Sequence, residues 1–168
     1  MLIEKLIDDC KKADIKKMVS AKDRCIQYSN KEPTLTFKEN NREYIAKNDS
    51  RKDVLGFKID NGLLTGNTEK KCDAAIIVEY DICYLIELKG HDIKTACDQI
   101  DATLDFFKAE YKIKKFVGRI VCSEIRTHNL RCKQYKELSK KLNKIKKELK
   151  FTIDKPLYQA SNCLKEKI

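Results

Sequence analysis

The sequence predicts an α/β domain in which a mixed β-sheet is flanked by helices, and three observations predict it. The apolar residues first recur at helical spacing, then follow the alternating or continuous pattern of strands, and return to helical spacing after Gly90. The strand-like segments are short and cluster in the middle of the chain, between amphipathic stretches. At 168 residues the chain has the size of one ordinary domain. Residues 1–168 are therefore read as a single domain, with a basic amphipathic C-terminal helix at about 130–150.

Residues 2–18 place Leu2, Ile3, Leu6, Ile7, Cys10 and Met18 near one stripe, so the chain opens on an amphipathic helix. From 28 to 51 the pattern is polar and irregular, and Asn30-Lys31-Glu32-Pro33 and Lys47-Asn48-Asp49-Ser50 carry loop residues. Loops are expected there, with one short strand at 34–37. Residues 54–60 are strand-like, and Asn61-Gly62 readily supplies the positive φ angles of a tight hairpin, with Leu63-Leu64 starting a return strand. Two further strands, 72–79 and 82–89, are rich in β-branched or aromatic residues. Ile93, Ala96, Cys97, Ile100, Leu104 and Phe107 then mark a helix over 92–110 with Asp92 as its N-cap. Residues 116–122 are nearly all apolar, as in a strand covered on both faces. Tyr135, Leu138, Leu142, Ile145 and Leu149 recur at spacings of three and four on a long helix, and 151–153 adds a last strand. This order of elements calls for helices on both faces of the sheet.

Lys and Arg number 36 against 26 Asp and Glu, a formal charge of +10, with 42% hydrophobic residues, 5 Gly and 2 Pro. That balance excludes collagen-like, low-complexity and wholly disordered chains. The longest uninterrupted apolar run is Ala74–Val78, far short of the ~20 residues that span a bilayer, so no membrane partner is expected. Acids interleave with the apolar residues of the first ten positions, unlike a secretory leader, and a cytoplasmic location is expected. The eight cysteines are accordingly read as reduced thiols. None are spaced as CxxC, and His91 and His128 are the only histidines, which leaves zinc without a local scaffold.

The informative stretch is 71–90. Asp73 lies in one apolar strand, and Glu87 and Lys89 share one face at the end of the next, while Leu88 points the other way. If the intervening loop holds the three residues 79–81, Val78 pairs with Ile82 and Asp73 falls opposite Glu87. A slip of one residue would send Asp73 to the other face. Charged groups on such apolar strands are expensive to bury without compensation, and a divalent cation is the natural compensator. Hard oxygen ligands without histidine or paired thiolates favour Mg²⁺ or Mn²⁺. Such an ion polarises a phosphoryl oxygen and acidifies water, while Lys89 positions that water or steadies negative charge. Phosphodiester hydrolysis is the chemistry these groups assemble.

Asp73, then Glu87-Leu88-Lys89, resembles the PD-(D/E)XK nuclease superfamily, whose signature is an Asp, a variable spacer and Glu/Asp-x-Lys. Seven acid-x-Lys strings occur in the chain, beginning at Asp9, Asp14, Glu69, Glu87, Asp92, Glu110 and Glu148. Only Glu87 ends an apolar strand that follows another apolar strand carrying an acid and precedes an amphipathic helix. The matching region runs from about 54 to 124, and with the preceding helix it fits the restriction endonuclease-like α-β-β-β-α-β core. The resemblance implies that Asp73 and Glu87 ligate the metal, that the Leu88 carbonyl completes the coordination, and that Lys89 is the catalytic lysine. Gln99 looks like the glutamine that some members place on the following helix. Cys72 stands where the family usually has Pro, and Thr103 where one branch has Tyr.

Asp60 is a further candidate ligand, although turn formation beside Asn-Gly already accounts for it. Glu4 on the first helix could approach the site, and His91 beside the motif reads as a capping or surface residue. Between Leu130 and Lys150 nine basic residues face two acids. Lys133, Lys136, Lys140, Lys144 and Lys147 are the candidate contacts to a nucleic-acid backbone, DNA before RNA. Only six of the 36 basic residues are Arg, which favours backbone contact over reading of base edges. The Tyr135 to Leu149 stripe also matches a heptad seam, and a homodimer or larger assembly would bring two centres to two strands. The reading is a Mg²⁺-dependent endodeoxyribonuclease in restriction, phage defence or recombination and repair. The alternative is a catalytically inactive nuclease-fold protein that binds nucleic acid or a protein partner.

Overall fold

The computed structural model describes residues 2–17, 20, 24–66, 70–113, 115–124, 128–148, 158–160 and 162–168; at 2, 17, 129, 144–148 and 158–160 only the backbone is described. Helix α1 (Leu2–Lys17) leads into β1 (Ile26–Asn30), β2 (Thr34–Glu39), β3 (Arg42–Lys47) and β4 (Val54–Lys58). After β5 (Ala74–Val78) and β6 (Ile82–Lys89) come α2 (Ile93–Glu110) and β7 (Lys115–Cys122). Helix α3 (Lys133–Glu148), β8 (Tyr158–Ala160) and β9 (Cys163–Lys167) complete the order. The fold is α/β, and α1-β4-β5-β6-α2-β7 reproduces the expected succession of helix, three strands, helix and strand.

One mixed sheet runs β1-β4-β5-β6-β7-β8. Its first four strands are antiparallel neighbours, and β6, β7 and β8 are parallel. Every residue of β5 is buried, because both faces of that strand are covered. Alternation divides the strands between two cores. Leu55, Phe57, Ala75, Ile77, Cys83, Leu85 and Ile120 pack with α1, α2 and α3. Val54, Ala74, Ile76, Ile86, Leu88 and Val121 pack instead with Leu35, Phe37, Tyr44 and Ala46 of a second sheet. That second sheet has the order β2-β3-β9.

Helices on both faces were expected; among the described residues they cover one face, and a sheet covers the other. The cause lies in 28–51, where the strand expected at 34–37 forms within β2, and β3 and the end of β1 stand where loops were expected. In β2 and β3, Leu35, Phe37, Tyr44 and Ala46 alternate inward, with Thr36 between the first two and half-buried Ile45 between the second two. Asn40 and Asn41, at φ 46° and 62°, supply the two left-handed residues of the turn that joins them. The hairpin expected at Asn61-Gly62 does not form. Asn61 is left-handed at φ 55°, but the chain coils back, with Leu63 N–H donating to the Lys58 carbonyl at 3.1 Å and Leu64 N–H to Ile59 at 2.9 Å. Only an isolated bridge between Asp60 and Leu64 stands where a return strand was expected. Gly62 is needed there for close approach, since a Cβ would lie 2.2 Å from the Lys58 carbonyl oxygen. The strand expected at 151–153 lies outside the described residues.

Between the sheets, Arg119 of β7 grips Glu166 of β9 through two parallel bonds, Nε to Oε1 at 2.8 Å and Nη2 to Oε2 at 3.1 Å. Both side chains are buried, and the Tyr44 hydroxyl donates to Oε1 at 2.7 Å. This clamp places the second sheet, and with it the end of β2, against the carboxyl end of β6.

Candidate active site

The register of β5 against β6 decides the site. Glu79 and Tyr80 both adopt left-handed φ, at 50° and 56°, and Asp81 N–H donates to the Val78 carbonyl at 3.1 Å. The turn therefore holds three residues, Val78 pairs with Ile82, and the ladder runs back to Ala74 opposite Ile86. Asp73 and Glu87 are the next residues on the two strands. At that point the ladder departs from its register, with Asp73 N–H donating to the Ile86 carbonyl at 3.1 Å. The Asp73 carboxylate accepts the Leu88 N–H at 2.6 Å through Oδ2. Leu88 thus meets Asp73 through its N–H, a different group from the carbonyl that the resemblance implies as a metal ligand.

Glu87 is 1% exposed, and its Oε2 is buried without a hydrogen-bond partner among the described residues. Its Oε1 lies 3.9 Å from Lys89 Nζ. The Lys89 ammonium donates to Gln99 Oε1 at 3.1 Å, and Gln99 Nε2 donates to the Lys71 carbonyl at 2.8 Å. Gln99 is therefore a brace from α2 to the lysine and to the segment entering β5. One turn further along α2, the buried Thr103 hydroxyl accepts the Cys72 N–H at 2.9 Å and donates to the Gln99 carbonyl at 2.8 Å. Together these contacts pin the backbone on which Asp73 stands.

Burial pushes the Glu87 carboxyl up to about 9, with the Asp73 charge next in effect and Lys89 opposing. Burial also raises Asp73, to about 7, against the Leu88 N–H that holds it down. Glu39 at the end of β2 raises Asp73 further through its charge and a side-chain hydrogen bond. Asp60 and Glu39 both add to the repulsion at Glu87. Asp60 lies 3.2 Å from the buried Lys71 ammonium, so it borders the site as a paired acid.

Among the described residues no three His, Cys, Asp or Glu side chains form a group able to hold a metal ion. The site therefore consists of two carboxylates that neighbour each other across a strand pair, an amine and its amide brace. Sequence reasoning singled out Asp73, Glu87, Lys89 and Gln99, and the fold brings all four together. Glu4 is exposed in the first turn of α1. His91 is exposed, 3.8 Å from Glu124. Glu39 and Lys71 were missed. Lys71 has a weak sequence signal, a cation two residues from Asp73 at the entry to an apolar strand; Glu39 has none, because only the second sheet brings it there.

On α3, Lys133 lies 3.8 Å from Glu137, and Lys136 and Lys140 are exposed. Lys141 is neutralised by Asp101 at 2.5 Å and Asp105 at 2.7 Å. The side chains of Lys144 and Lys147 lie outside the described residues. Tyr135, Leu138 and Leu142 pack on the chain's own core, so this part of the stripe is not an open heptad seam. No helix of the described residues is long and apolar enough to cross a membrane. Comparison with protein-family models, curated proteins and solved structures finds no match for the chain, so a functional reading rests on its residues and their geometry.

Proposed function

We propose that the chain is a metal-dependent endonuclease of the PD-(D/E)XK type that hydrolyses phosphodiester bonds in DNA. The observation that carries this reading is Glu87 Oε2, a buried carboxylate oxygen with no hydrogen-bond partner among the described residues, on the strand neighbouring Asp73 and in line with Lys89. A buried acid in that state is costly unless a proton or a cation compensates it. The donors are hard oxygens, and Mg²⁺ commonly takes one or two carboxylates and completes its shell with water and substrate phosphate. Asp73 and Glu87 would hold Mg²⁺ or Mn²⁺, with Glu39 and Asp60 as the further acids bordering them. When bound, the ion supplies charge neutralisation at the phosphoryl group and a more acidic water.

The chain's own residues supply the rest. Asp73 and Glu87 must give up their protons to act as ligands, which ties activity to pH. Lys89, held by Gln99, steadies the negative charge that develops on the phosphoryl oxygens as water attacks phosphorus and the P–O ester bond breaks. The exposed Lys136 and Lys140 offer a basic surface for the backbone. Two-strand cleavage calls for two such centres and hence a homodimer or larger assembly. Restriction, phage defence and recombination or repair are the settings in which such an enzyme works.

A second reading, a nuclease-fold protein that binds nucleic acid or a partner without cutting, is favoured by the lack of a three-ligand group among the described residues. Incubation of wild-type protein and Glu87→Ala with supercoiled, linear and branched DNA, and with RNA, separates the two. Cleavage of DNA that needs Mg²⁺ and is lost in the variant supports the enzyme; binding with no cleavage by either protein supports the binding module.

A further inference from the structure

A cleft of about 810 Å³ opens between β2 and the ends of β4 and β5, and it reaches Asp73 and Leu88 at the candidate active site. Its volume suits a single small ligand group, in the range of roughly 300–1,000 Å³. A duplex does not fit within it. One wall is aromatic: Tyr28 and Phe37 meet edge to face with ring centroids 5.6 Å apart. Tyr28 is held firmly, because its hydroxyl donates to the Thr36 carbonyl at 2.7 Å and its ring lies over Gly56, where a Cβ would come within 3.0 Å of Tyr28 Cδ2. A ring fixed in this way is a preorganised stacking surface.

The cleft also carries a cation without an acidic partner. Lys38 pairs with Glu43 at 2.8 Å, and Lys71, behind the site, pairs with Asp60. Lys58 lines the cleft in register with Ala74, one residue from Asp73, and makes no ion pair among the described residues. A fixed aromatic ring, an ammonium outside any ion pair of the described residues and the neighbouring candidate centre, whose acids Asp73, Asp60 and Glu39 share the lining, form the set of groups that binds a base and its phosphate.

We propose that this cleft holds one unpaired nucleotide of the substrate strand beside the bond to be cut, with Tyr28 against the base and Lys58 on a phosphate. The inference rests on the nuclease reading and narrows its substrate to nucleic acid with a single-stranded or splayed segment. Reading by stacking also agrees with a basic complement that has only six Arg among 36 residues.

Binding is measured by fluorescence anisotropy with Glu87→Gln protein, so that no cutting intervenes, on a single strand, a flapped duplex and a blunt duplex that carry 2-aminopurine. The single strand and the flap should bind at least about tenfold more tightly than the blunt duplex, with quenching of the reporter base. Adding Tyr28→Leu should weaken single-strand binding by about tenfold and abolish the quenching. Adding Lys58→Gln, a change outside the packed core, should lower the salt slope by about 0.7. A blunt duplex bound as tightly as the single strand, or both added substitutions without effect, overturns the proposal. Cleavage by wild-type protein with none of these binding effects removes the cleft and leaves the nuclease reading. The binding effects in a protein that never cuts remove the nuclease reading instead.

Discussion

Gln99 Oε1 accepts the Lys89 ammonium at 3.1 Å, closer than the 3.9 Å that separates the same ammonium from Glu87. The lysine of the candidate site is thus aimed by an amide on the neighbouring helix rather than by its acidic neighbour. Gln99→Leu should let Lys89 swing toward Glu87. The expected result is a fall in kcat of about 10²-fold with little change in KM, the effect of misplacing a reacting group by about 1 Å. Steady-state kinetics on a DNA substrate checks it, and a change confined to KM would assign Gln99 to substrate binding.

Raised carboxyls make stability fall with pH. Glu87 keeps its proton in the folded chain up to about 9, whereas the unfolded chain releases it near 4.5, so the folded state binds more protons between those values. Stability without metal should therefore decline as pH rises through that window. Glu87→Gln removes this decline for one group. Its Tm should exceed that of the wild type increasingly toward pH 9, by about 2–4 °C for each kcal/mol relieved. Thermal melts across pH in EDTA test it; parallel curves for the two proteins would contradict the assignment of a buried, unpartnered acid.

The Arg119–Glu166 clamp joins the two sheets in the interior, and breaking a buried pair by removing one partner leaves an uncompensated charge. Glu166→Ala should lower stability by about 3–5 kcal/mol, whereas Arg119→Met with Glu166→Leu should recover most of the loss. Chemical denaturation of both variants measures this.

The exposed lysines of α3 carry a separate expectation. If Lys136 and Lys140 contact phosphates, Lys136→Gln with Lys140→Gln should weaken DNA binding equally across sequences and reduce the salt slope by about 1.8. An unchanged slope would return them to the role of a solvated helix face.

Much of this fold is legible in the sequence because long elements repeat their period. Helix α2 begins at Ile93 after an Asp92 cap whose carboxylate accepts the Thr95 N–H at 3.0 Å, as Asp92 and the apolar spacing indicated. The Asp73–Glu87 relationship was legible in part: the parity of a three-residue turn sets the ladder as far as Ala74 opposite Ile86, but the departure at Asp73, whose N–H bonds to the Ile86 carbonyl, has no signal in the sequence. The second sheet was legible only at 34–37, the strand that became β2. Its strands alternate over only two inward residues each, its turn uses Asn40-Asn41 without glycine, and β9 reads Cys-Leu-Lys-Glu-Lys, a polar string whose Glu166 is buried by a partner far away in sequence. Asn61-Gly62 misled for the opposite reason: a strong local turn signal served a close backbone approach at Gly62 instead of a hairpin. Glu39 and Lys58 followed the second sheet and its cleft out of reach, because no local pattern tells which remote strand end will face Asp73.

Calorimetric titration with Mn²⁺ bears most directly on the claim that Glu87 is a cation ligand beside Asp73. Wild-type protein should bind the ion with proton release and with affinity that climbs as pH passes through about 7 and about 9, where the two carboxyls give up their protons. Glu87→Gln should lose affinity by at least about tenfold and release fewer protons. Equal Mn²⁺ affinity in the two proteins, or no binding to either, would contradict the account.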